Sequence, residues 1–441
     1  MTKHLLWVCL LTALPSAGKH ILLERTLDKS DFFPGTERKY WVYVPEQYKD
    51  GDTACLYMAF DGVSCNAPQV FDELIAEGKM PVTVGVFTEP GKVRNSRREI
   101  LRYNRSNEYD MTDDRLALFL EKELLPAVEA ITTPDGRRIR LSHKASDRAI
   151  YGASSGGIAS FNIAWQRPDM FSRIFSAVGT FVSFRGGNDM QAFVRKTEPL
   201  PLRIFLQDGT KDAWNPLFGS WYEANRMLES ALQFAGYELK CDWGDSGHSS
   251  ARAAEIFKDV MTWLWEGWPA AVKPGITSNN LLEPLLIPDE TWQHDDAVRK
   301  NPNKRNKYDA IYPDGTLAVR HKDGTNCLWQ YIIDENGKES YGQRFYWLHT
   351  MDNTPAKVGP MAFDANGNLF VTTSIGIQIC DQNGRVRGIL RWLKDIAWPV
   401  KTIWIENGAI RITDARNKGF VRKMNIQQPQ KGVRPKSQGQ G

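Results

Sequence analysis

The residues from Asp147 to Ser160 constrain the fold of this chain more than any other stretch. A short apolar segment ends at Tyr151, the sequence Gly152-Ala-Ser-Ser-Gly156 follows, and a helical pattern begins at about residue 158. A G-x-S-x-G match between a strand and a helix is typical of a sharp turn that strains the backbone of its serine, and the flanking glycines leave room for it. The pattern predicts a turn that presents Ser154 at the edge of a sheet, where the N-terminal N–H groups of the next helix point.

A serine at such a turn has two interpretations. The motif by itself is common enough that a glycine-rich turn with an incidental serine fits about as well as a nucleophile does. A nucleophile also needs a histidine to take its proton and a carboxylate to orient that histidine. Both follow in this chain, and Ser154, Asp212, His248 is the order of nucleophile, acid and histidine in α/β-hydrolases.

His248 is the strongest candidate for the base. It follows the last predicted strand of the first part of the chain, whereas His20 precedes the first strand and His143 precedes the strand of the serine turn, at the opposite edge of the sheet. The acid has two candidates, Asp208 and Asp212, in the tight turn after another strand. We favour Asp212, because a residue deeper in the loop can reach the histidine, while Asp208 can bond to the turn itself.

Strands alternate with helices through the first 268 residues, which predicts the α/β fold class, with a mainly parallel sheet covered on both faces. The predicted elements are strands at 39–45, 54–60 and 82–87, a helix at 115–125 that stops near Pro126, the serine-turn strand and helix, strands at 173–178 and 202–207, a helix at 217–234, a strand at 237–243 and a helix at 251–265. Ligand sites in such sheets lie beyond the carboxyl ends of the strands, where Ser154, Asp212 and His248 would meet.

The segment from about residue 39 to 268 resembles the Putative esterase family, which includes enterochelin esterases, esterase D, and feruloyl and acetylxylan esterases. The residues that carry the resemblance are Phe60-Asp-Gly62, Asn104-Arg-Ser-Asn-Glu-Tyr-Asp110, Gly152-Ala-Ser-Ser-Gly-Gly157, Gly209-Thr-Lys-Asp212, and Gly247-His248 ahead of Met261-Thr-Trp-Leu-Trp265. The resemblance implies an α/β-hydrolase fold with Ser154 as nucleophile, Asp212 as acid and His248 as base. It also implies an oxyanion hole formed by the backbone N–H groups of Gly62 and Ser155.

The pattern changes after residue 268. Two prolines and two glycines in 265–275 predict a linker, and Asp-Gly or Asn-Gly pairs then recur between residues 314 and 408 as in antiparallel hairpins. The expected organisation is a signal peptide at 1–17, an α/β-hydrolase domain at 20–268, a linker at 269–287, an all-β, β-propeller-like region at 288–426 and a disordered tail at 427–441.

The stretch Gly359–Arg385 resembles a blade of the gluconolactonase and regucalcin family. Such propellers close with six blades, and residues 308–426 are too few for six, so we expect an incomplete propeller. Asp364 and Asp381 lie in turn contexts, which favours turn formation over metal binding, and no metal site is predicted. Because an open propeller leaves edge strands exposed, we expect the region to pack beside the Ser154 cleft and to shape access for a bulky substrate.

Composition and charge narrow the partners and the location. Residues 1–17 have the basic start, apolar run and small-residue end of a secretory signal peptide, and no later stretch is apolar enough to span a bilayer, so we expect a secreted or periplasmic protein with no membrane partner. A net charge of +4 gives no sign of a nucleic-acid partner. The five cysteines after the signal have no metal-binding spacing and are expected to be mostly buried thiols, with a Cys55–Cys65 disulfide left open. The oligomeric state is also left open.

The predicted function is an exported serine esterase that hydrolyses a small-molecule or polysaccharide-linked carboxylic ester through an acyl-enzyme, without a cofactor. Export and the fifteen tryptophans favour a carbohydrate-linked feruloyl or acetyl ester. The alternative is a ferric-siderophore ester of the enterochelin type, whose negative charge would need clustered cations such as Arg94, Arg97, Arg98, Arg102 and Arg105. An alternative of another class is a carbohydrate-binding or scaffold protein with an inert hydrolase domain.

Overall fold

The computed structural model describes residues 20–295, 309–351 and 356–435. The predicted signal peptide and residues 436–441 of the predicted tail lie outside these ranges. Within them, no helix is long and apolar enough to cross a membrane. The five cysteines that follow the signal segment are free thiols, three of them buried, so the expectation of mostly buried thiols is confirmed and Cys55 and Cys65 are not bonded.

A mainly parallel sheet organises the first part of the chain. Its strands and the adjoining hairpin strands are β1 (Ile21–Leu27), β2 (Arg38–Val44), β3 (Cys55–Phe60), β4 (Thr83–Thr88), β5 (Lys92–Arg94), β6 (Ile100–Tyr103), β7 (Arg148–Ala153), β8 (Arg173–Ala177), β9 (Arg203–Lys211), β10 (Trp214–Asn215), β11 (Gly219–Ser220) and β12 (Glu238–Gly247). Eight of these form one sheet in the order β1-β2-β4-β3-β7-β8-β9-β12. The six strands from β4 to β12 run parallel, and β1 and β2 add antiparallel strands at one edge. The predicted α/β class is confirmed.

Helices cover both faces of the sheet. They are α1 (Ala67–Ala76), α2 (Arg105–Tyr109), α3 (Arg115–Phe119), α4 (Leu125–Glu129), α5 (Ser155–Gln166), α6 (Met190–Lys196), α7 (Trp221–Phe234), α8 (Ala251–Trp265) and, beyond the sheet, α9 (Leu282–Leu285). One apolar layer joins α1 and α8 to the sheet, and the other joins α3, α5 and α7 to it. Successive residues of β3 alternate between them, Tyr57 in the first layer and Met58 in the second, which explains why the whole strand is apolar.

Two predicted helices have different bounds in the structure. The helix predicted to stop near Pro126 continues to Glu129 through a π-helical turn at Leu120–Leu124, and Pro126 is tolerated because it lies in the first turn of α4. The helix predicted to begin at residue 217 begins at Trp221, because the Ser220 side chain accepts a hydrogen bond from the Glu223 N–H and caps it there. The residues before Ser220 form the β10–β11 hairpin instead.

Antiparallel sheets make up the part of the chain after residue 290. The strands are β13 (Gln293–Asp295), β14 (Ala310–Ile311), β15 (Leu317–Arg320), β16 (Cys327–Ile333), β17 (Glu339–Trp347), β18 (Val358–Phe363), β19 (Leu369–Thr373), β20 (Gly376–Cys380), β21 (Val386–Leu390), β22 (Thr402–Glu406), β23 (Ala409–Thr413) and β24 (Gly419–Lys423). In the described residues they form three four-stranded sheets, β14 to β17, β18 to β21, and β13 with β22 to β24. The antiparallel hairpins are as predicted, but a propeller is not confirmed.

Turns in this part follow the predicted chemistry. Asn407 and Gly408 connect β22 to β23 with φ angles of 51° and 69°, as a two-residue hairpin turn requires. The carboxylates of Asp364 and Asp381 each accept backbone N–H groups two and four residues ahead, which confirms both as turn formers. In the predicted tail, Gly432 donates its N–H to the Pro313 carbonyl oxygen (2.9 Å), so this portion is ordered against the sheets.

The antiparallel part docks at the end of the parallel sheet that lies away from Ser154. Helix α5 starts directly after Ser154 and runs for 12 residues, roughly 18 Å at 1.5 Å per residue. At its far end, Arg391 donates to the Gln166 side-chain oxygen (3.1 Å), and after α6 the Glu198 N–H donates to the Ile389 carbonyl oxygen (3.0 Å). The expectation that this region packs beside the Ser154 cleft is therefore wrong.

We propose that residues 20–268 are the hydrolase unit and that the docked region stabilises it. A chain ending at Lys273 is expected to keep most of its kcat/KM on small esters, because the contacts it loses lie at the opposite end of the sheet. It should unfold at a lower temperature, since the Arg391 guanidinium that covers the buried Trp165 ring (4.5 Å) is removed. Thermal unfolding and esterase assays of both chains test this. Loss of activity in a truncated protein that is folded by circular dichroism would contradict it.

Candidate active site

Ser154 occupies the sharp turn between β7 and α5. Its φ of 59° and ψ of −121° lie outside the conformations that residues with side chains favour. The turn is held by two hydrogen bonds, from the Ser154 N–H to the Ala177 carbonyl oxygen (2.9 Å) and from the Thr180 N–H to the Ser154 carbonyl oxygen (3.1 Å). A Cβ on Gly152 would lie 2.0 Å from the Gly156 carbonyl oxygen, so glycine is needed there. The strained serine is thus a product of the surrounding contacts.

The three residues predicted to act together meet at the carboxyl ends of the strands. Ser154 follows β7, Asp212 follows β9 and His248 follows β12. Nε2 of His248 lies 2.8 Å from Ser154 Oγ, and Nδ1 of His248 lies 2.6 Å from Asp212 Oδ1. Because a carboxylate can only accept, Nδ1 carries the proton and Nε2 is left to accept from the serine hydroxyl.

The carboxylate in this chain is fully buried, whereas the imidazole is partly open to solvent. The side chain of Asp212 is 0% exposed and that of His248 is 33% exposed. Burial alone would favour a neutral carboxyl group, but hydrogen bonds from His248 and from Asp208 bring the pKa of Asp212 below its ordinary value. Asp212 is therefore an anion beside the imidazole near neutral pH, which is the state that stabilises an imidazolium.

The second acid candidate takes a different position. Asp208 is fully buried and accepts hydrogen bonds from the Gly209 N–H (2.7 Å) and the Asn225 amide (2.8 Å). The carboxylate that bonds His248 is that of Asp212. The structure thus places Asp212 next to the histidine and Asp208 behind it, in the arrangement that the loop argument favoured.

The structure leaves one of the two predicted oxyanion donors in place. Ser155 is the first residue of α5, where an N–H has no intrahelical acceptor and lies at the positive end of the helix dipole. Gly62, by contrast, donates its N–H to the Thr88 carbonyl oxygen (3.2 Å). Left-handed φ angles at Asp61 (62°) and Gly62 (86°) turn this loop back toward β4. Gly62 is therefore not a free donor, and that prediction is corrected.

A cavity of about 280 Å³ opens over Ser154 and His248. Its remaining walls are formed by Phe60, Asp61, Ser64, Arg105, Tyr151, Ala153, Val178, Ser249 and Ser250. The Arg105 guanidinium binds the Asp61 carboxylate through two hydrogen bonds of 2.8 and 2.7 Å. Sequence reasoning treated Arg105 only as a cation for an anionic substrate and missed this pair. The carboxylate in the Asp-Gly loop was the signal that could have indicated it.

An apolar rim borders the same cavity, and sequence reasoning missed it because the residues were assigned to a helix. The β10–β11 hairpin begins two residues after Asp212, and its Trp214 and Leu217 side chains are 71% and 79% exposed. The hairpin leads into α7, whose Trp221 ring packs edge-on against the His248 ring with centroids 5.7 Å apart. In the described ranges, no group of three or more His, Cys, Asp or Glu side chains is arranged to hold a metal ion.

Comparisons with solved structures find esterases. A ferulic acid esterase shares 18% identity over 56% of this chain and 98% of its own, with a TM-score of 0.41. The enterobactin esterase of Shigella flexneri shares 18% identity over 56% of this chain, with a TM-score of 0.43, and the present chain spans 59% of its length. A feruloyl esterase module from Clostridium thermocellum shares 11% identity over 58% of this chain and 90% of its own, with a TM-score of 0.38.

No curated protein sequence matches the chain. The gluconolactonase resemblance of the C-terminal part is not supported by any of the comparisons. A family model does match, over residues 33–314, which is more than half of the sequence. Its description is Putative esterase, and the chain belongs to that family.

Proposed function

We propose that this protein is a serine carboxylic-ester hydrolase in which Ser154 is the nucleophile, His248 the general base and Asp212 the acid that orients it. The observation that carries the proposal is the unbroken chain of hydrogen bonds from Asp212 Oδ1 through His248 to Ser154 Oγ. Its placement at a strained turn, with a helix N-terminus behind it, adds the electrostatic element that acyl transfer needs. Because three side chains of the right type are assembled within hydrogen-bond distance, an inert hydrolase domain is the weaker alternative.

The geometry supports a two-step reaction. His248 Nε2 takes the Ser154 proton as Oγ attacks the ester carbonyl carbon, and the developing oxyanion is stabilised by the Ser155 N–H. The imidazolium, held by Asp212, then gives its proton to the departing alcohol, which leaves an acyl group on Ser154. Water activated by His248 attacks that acyl group and releases the acid. These steps use only side chains of this chain and no cofactor.

The substrate that fits best is a carbohydrate-linked ester of an acetyl or feruloyl group. The cavity wall with Asp61, Arg105 and the serines offers hydrogen bonds to hydroxyl groups, as a sugar alcohol would require. The opposite rim, with Trp214 and Leu217, offers apolar surface on which an aromatic acyl group can stack. An exported enzyme, secreted or periplasmic, would meet such polymers, and cleavage at residue 17 in the secreted protein is the N-terminal sequence that tests export.

A ferric siderophore is disfavoured by the charges around the cleft. Of the arginines that could attract it, Arg94 and Arg98 both bind the Glu37 carboxylate, and Arg105 binds Asp61. Paired guanidinium groups contribute little net positive potential to a strongly anionic ligand. Assay of methyl ferulate, acetylated xylan and a ferric catecholate trilactone with one enzyme preparation separates the substrates. Turnover of the trilactone well above that of the other two would overturn the substrate assignment.

Trp214 is expected to contribute to binding an aromatic acyl group. Replacing it by Ala should lower kcat/KM for methyl ferulate by about two- to ten-fold, because one aromatic stacking contact is lost. The same variant should hydrolyse p-nitrophenyl acetate like the wild type, since an acetyl group is too small to reach the rim. Steady-state kinetics on the two substrates give this comparison.

Trp347 provides the matched control, because it is also exposed (62%) but lies in the β14–β17 sheet. Trp347→Ala should leave both rates unchanged. If Trp214→Ala impaired both esters equally, the hairpin would act on the catalytic residues themselves. If it impaired neither, the rim would not bind the acyl group.

A further inference from the structure

Asp208 is a buried carboxyl group that the proposed mechanism does not use. It lies in β9, four residues before Asp212, and is 0% exposed. The Gly209 N–H donates to its Oδ1, and the Asn225 amide donates to its Oδ2. Neither donor carries a charge, so an ionised Asp208 would place an uncompensated anion in the protein interior.

The neighbouring carboxyl group has an unsatisfied oxygen. Oδ1 of Asp212 accepts from His248 and from the Ala213 N–H. Oδ2 of Asp212 is buried, and it faces the Asp208 carboxyl group with no other partner in the described ranges. Two carboxylates in contact do not both ionise, because their charges repel strongly at a buried site. A single proton between them would remove the repulsion and satisfy the open oxygen.

The surroundings place that proton on Asp208. Asp212 faces the imidazole, which becomes a cation during the reaction, whereas Asp208 faces only neutral donors. Burial, followed by the hydrogen bond to Asp212 and the charge of that group, raises the pKa of Asp208 to about 9. Other charged groups nearby are engaged elsewhere. On α7, Arg226 binds Glu229 (2.7 Å), and beyond β9 the exposed Lys211 binds Asp245 (2.7 Å).

We propose that Asp208 is a positioning residue: as a neutral carboxylic acid it donates its proton to Oδ2 of Asp212 and holds that carboxylate in line with His248. The inference rests on the proposed function, because it concerns the same hydrogen-bond chain. Asp208 touches neither the substrate nor the reacting atoms. Its contribution is to fix the rotation of the Asp212 carboxylate, which would otherwise leave a buried oxygen without a donor.

Kinetics of Asp208→Asn and Asp208→Ala give the first test. Asparagine is neutral and can donate an N–H to Asp212, while the Asn225 amide keeps its bonds to the Gly179 and Trp221 carbonyl oxygens. We expect Asp208→Asn to keep kcat for p-nitrophenyl acetate within a few-fold of the wild type at pH 7.5. Asp208→Ala removes the donor and should lower kcat by roughly ten- to hundred-fold with KM unchanged, the effect of one unsatisfied buried acceptor.

The pH dependence of stability gives a second test that does not require activity. In the unfolded chain Asp208 is ionised above about pH 5, whereas in the folded protein it keeps its proton up to about pH 9. The folded state then binds one more proton, so Asp208 makes the free energy of unfolding fall as pH rises. Asparagine removes this term. The stability of Asp208→Asn relative to wild type should therefore increase between pH 5 and 8 with a slope of one proton.

Asp245→Asn is the matched control, because Asp245 is exposed and its pKa is lowered by the hydrogen bond from Lys211. Its stability relative to wild type should not depend on pH in the same window. A flat difference for Asp208→Asn would show that Asp208 is ionised in the folded protein and would overturn the proposal. So would a loss of kcat in Asp208→Asn as large as that of Asp208→Ala. Failure of the proposed function would appear separately, as activity retained by Ser154→Ala.

Discussion

Ester hydrolysis by the Ser154→Ala variant is expected to fall by about 10⁶-fold in kcat, the usual consequence of removing a triad nucleophile. The reason is specific to the Oγ atom, which lies 2.8 Å from His248 Nε2 and is the atom that would carry the acyl group. Alanine keeps the backbone of the turn but cannot form the acyl-enzyme. Hydrolysis of p-nitrophenyl acetate, and labelling of the protein by a fluorophosphonate followed by mass spectrometry, measure the two consequences directly.

Ser160→Ala is a matched control for this variant. Ser160 lies in the same helix, and its hydroxyl donates to the Gly157 carbonyl oxygen (2.9 Å) without reaching the cleft. It should remain active and should still be labelled at Ser154. Thermal unfolding of both variants checks that the fold is intact. Near-wild-type turnover by a folded Ser154→Ala protein would exclude the turn as the catalytic site and, with it, the serine mechanism.

Asp212→Asn is expected to lower kcat by about 10⁴-fold, the effect of replacing the carboxylate of a Ser-His-Asp triad by an amide. An amide can present its N–H to His248 Nδ1, which favours the tautomer whose proton sits on Nε2 and faces Ser154 Oγ. That tautomer cannot accept the serine proton. The loss should appear in kcat, since the buried Asp212 does not line the cavity.

The comparison with Asp208→Asn makes this result diagnostic. Both substitutions are isosteric, both lie in the same loop region after β8, and both change a buried carboxyl group. Only Asp212 accepts from His248, so only its replacement should abolish turnover. A severe loss in Asp208→Asn with a mild loss in Asp212→Asn would exchange the roles of the two residues.

Much of the site could be inferred from sequence because its parts are local. The strand, the turn and the helix around Ser154 are contiguous, and the glycines at 152 and 156 are required by contacts within that same stretch. His248 and Asp212 also follow strands directly, so the rule that parallel strands present their carboxyl ends at one edge was enough to bring them together. The choice between Asp212 and Asp208 could be argued from loop position, and the structure places them as that argument expected.

The residues that were misjudged depend on contacts between distant segments. Gly62 was assigned as an oxyanion donor by resemblance, but its N–H is bound by Thr88, which belongs to a strand 26 residues later in the chain. The residues before Trp221 have helical spacing, yet the hairpin wins because Ser220 caps the helix and the Phe218 carbonyl oxygen accepts from the Ser183 N–H (3.0 Å). Neither competing hydrogen bond can be read from local pattern.

The sequence by itself determined the α/β class, the strained serine turn and the order of the acid and base, because hydrophobic period, glycine positions and strand ends are local properties of the chain. Tertiary structure alone decided where the antiparallel part docks, since the contacts of Arg391 and Glu198 join residues about two hundred positions apart. It alone also set the state of Asp208. A carboxyl group at that position is ordinary in sequence, and only burial against a second carboxylate, brought close by the fold, makes it a neutral acid.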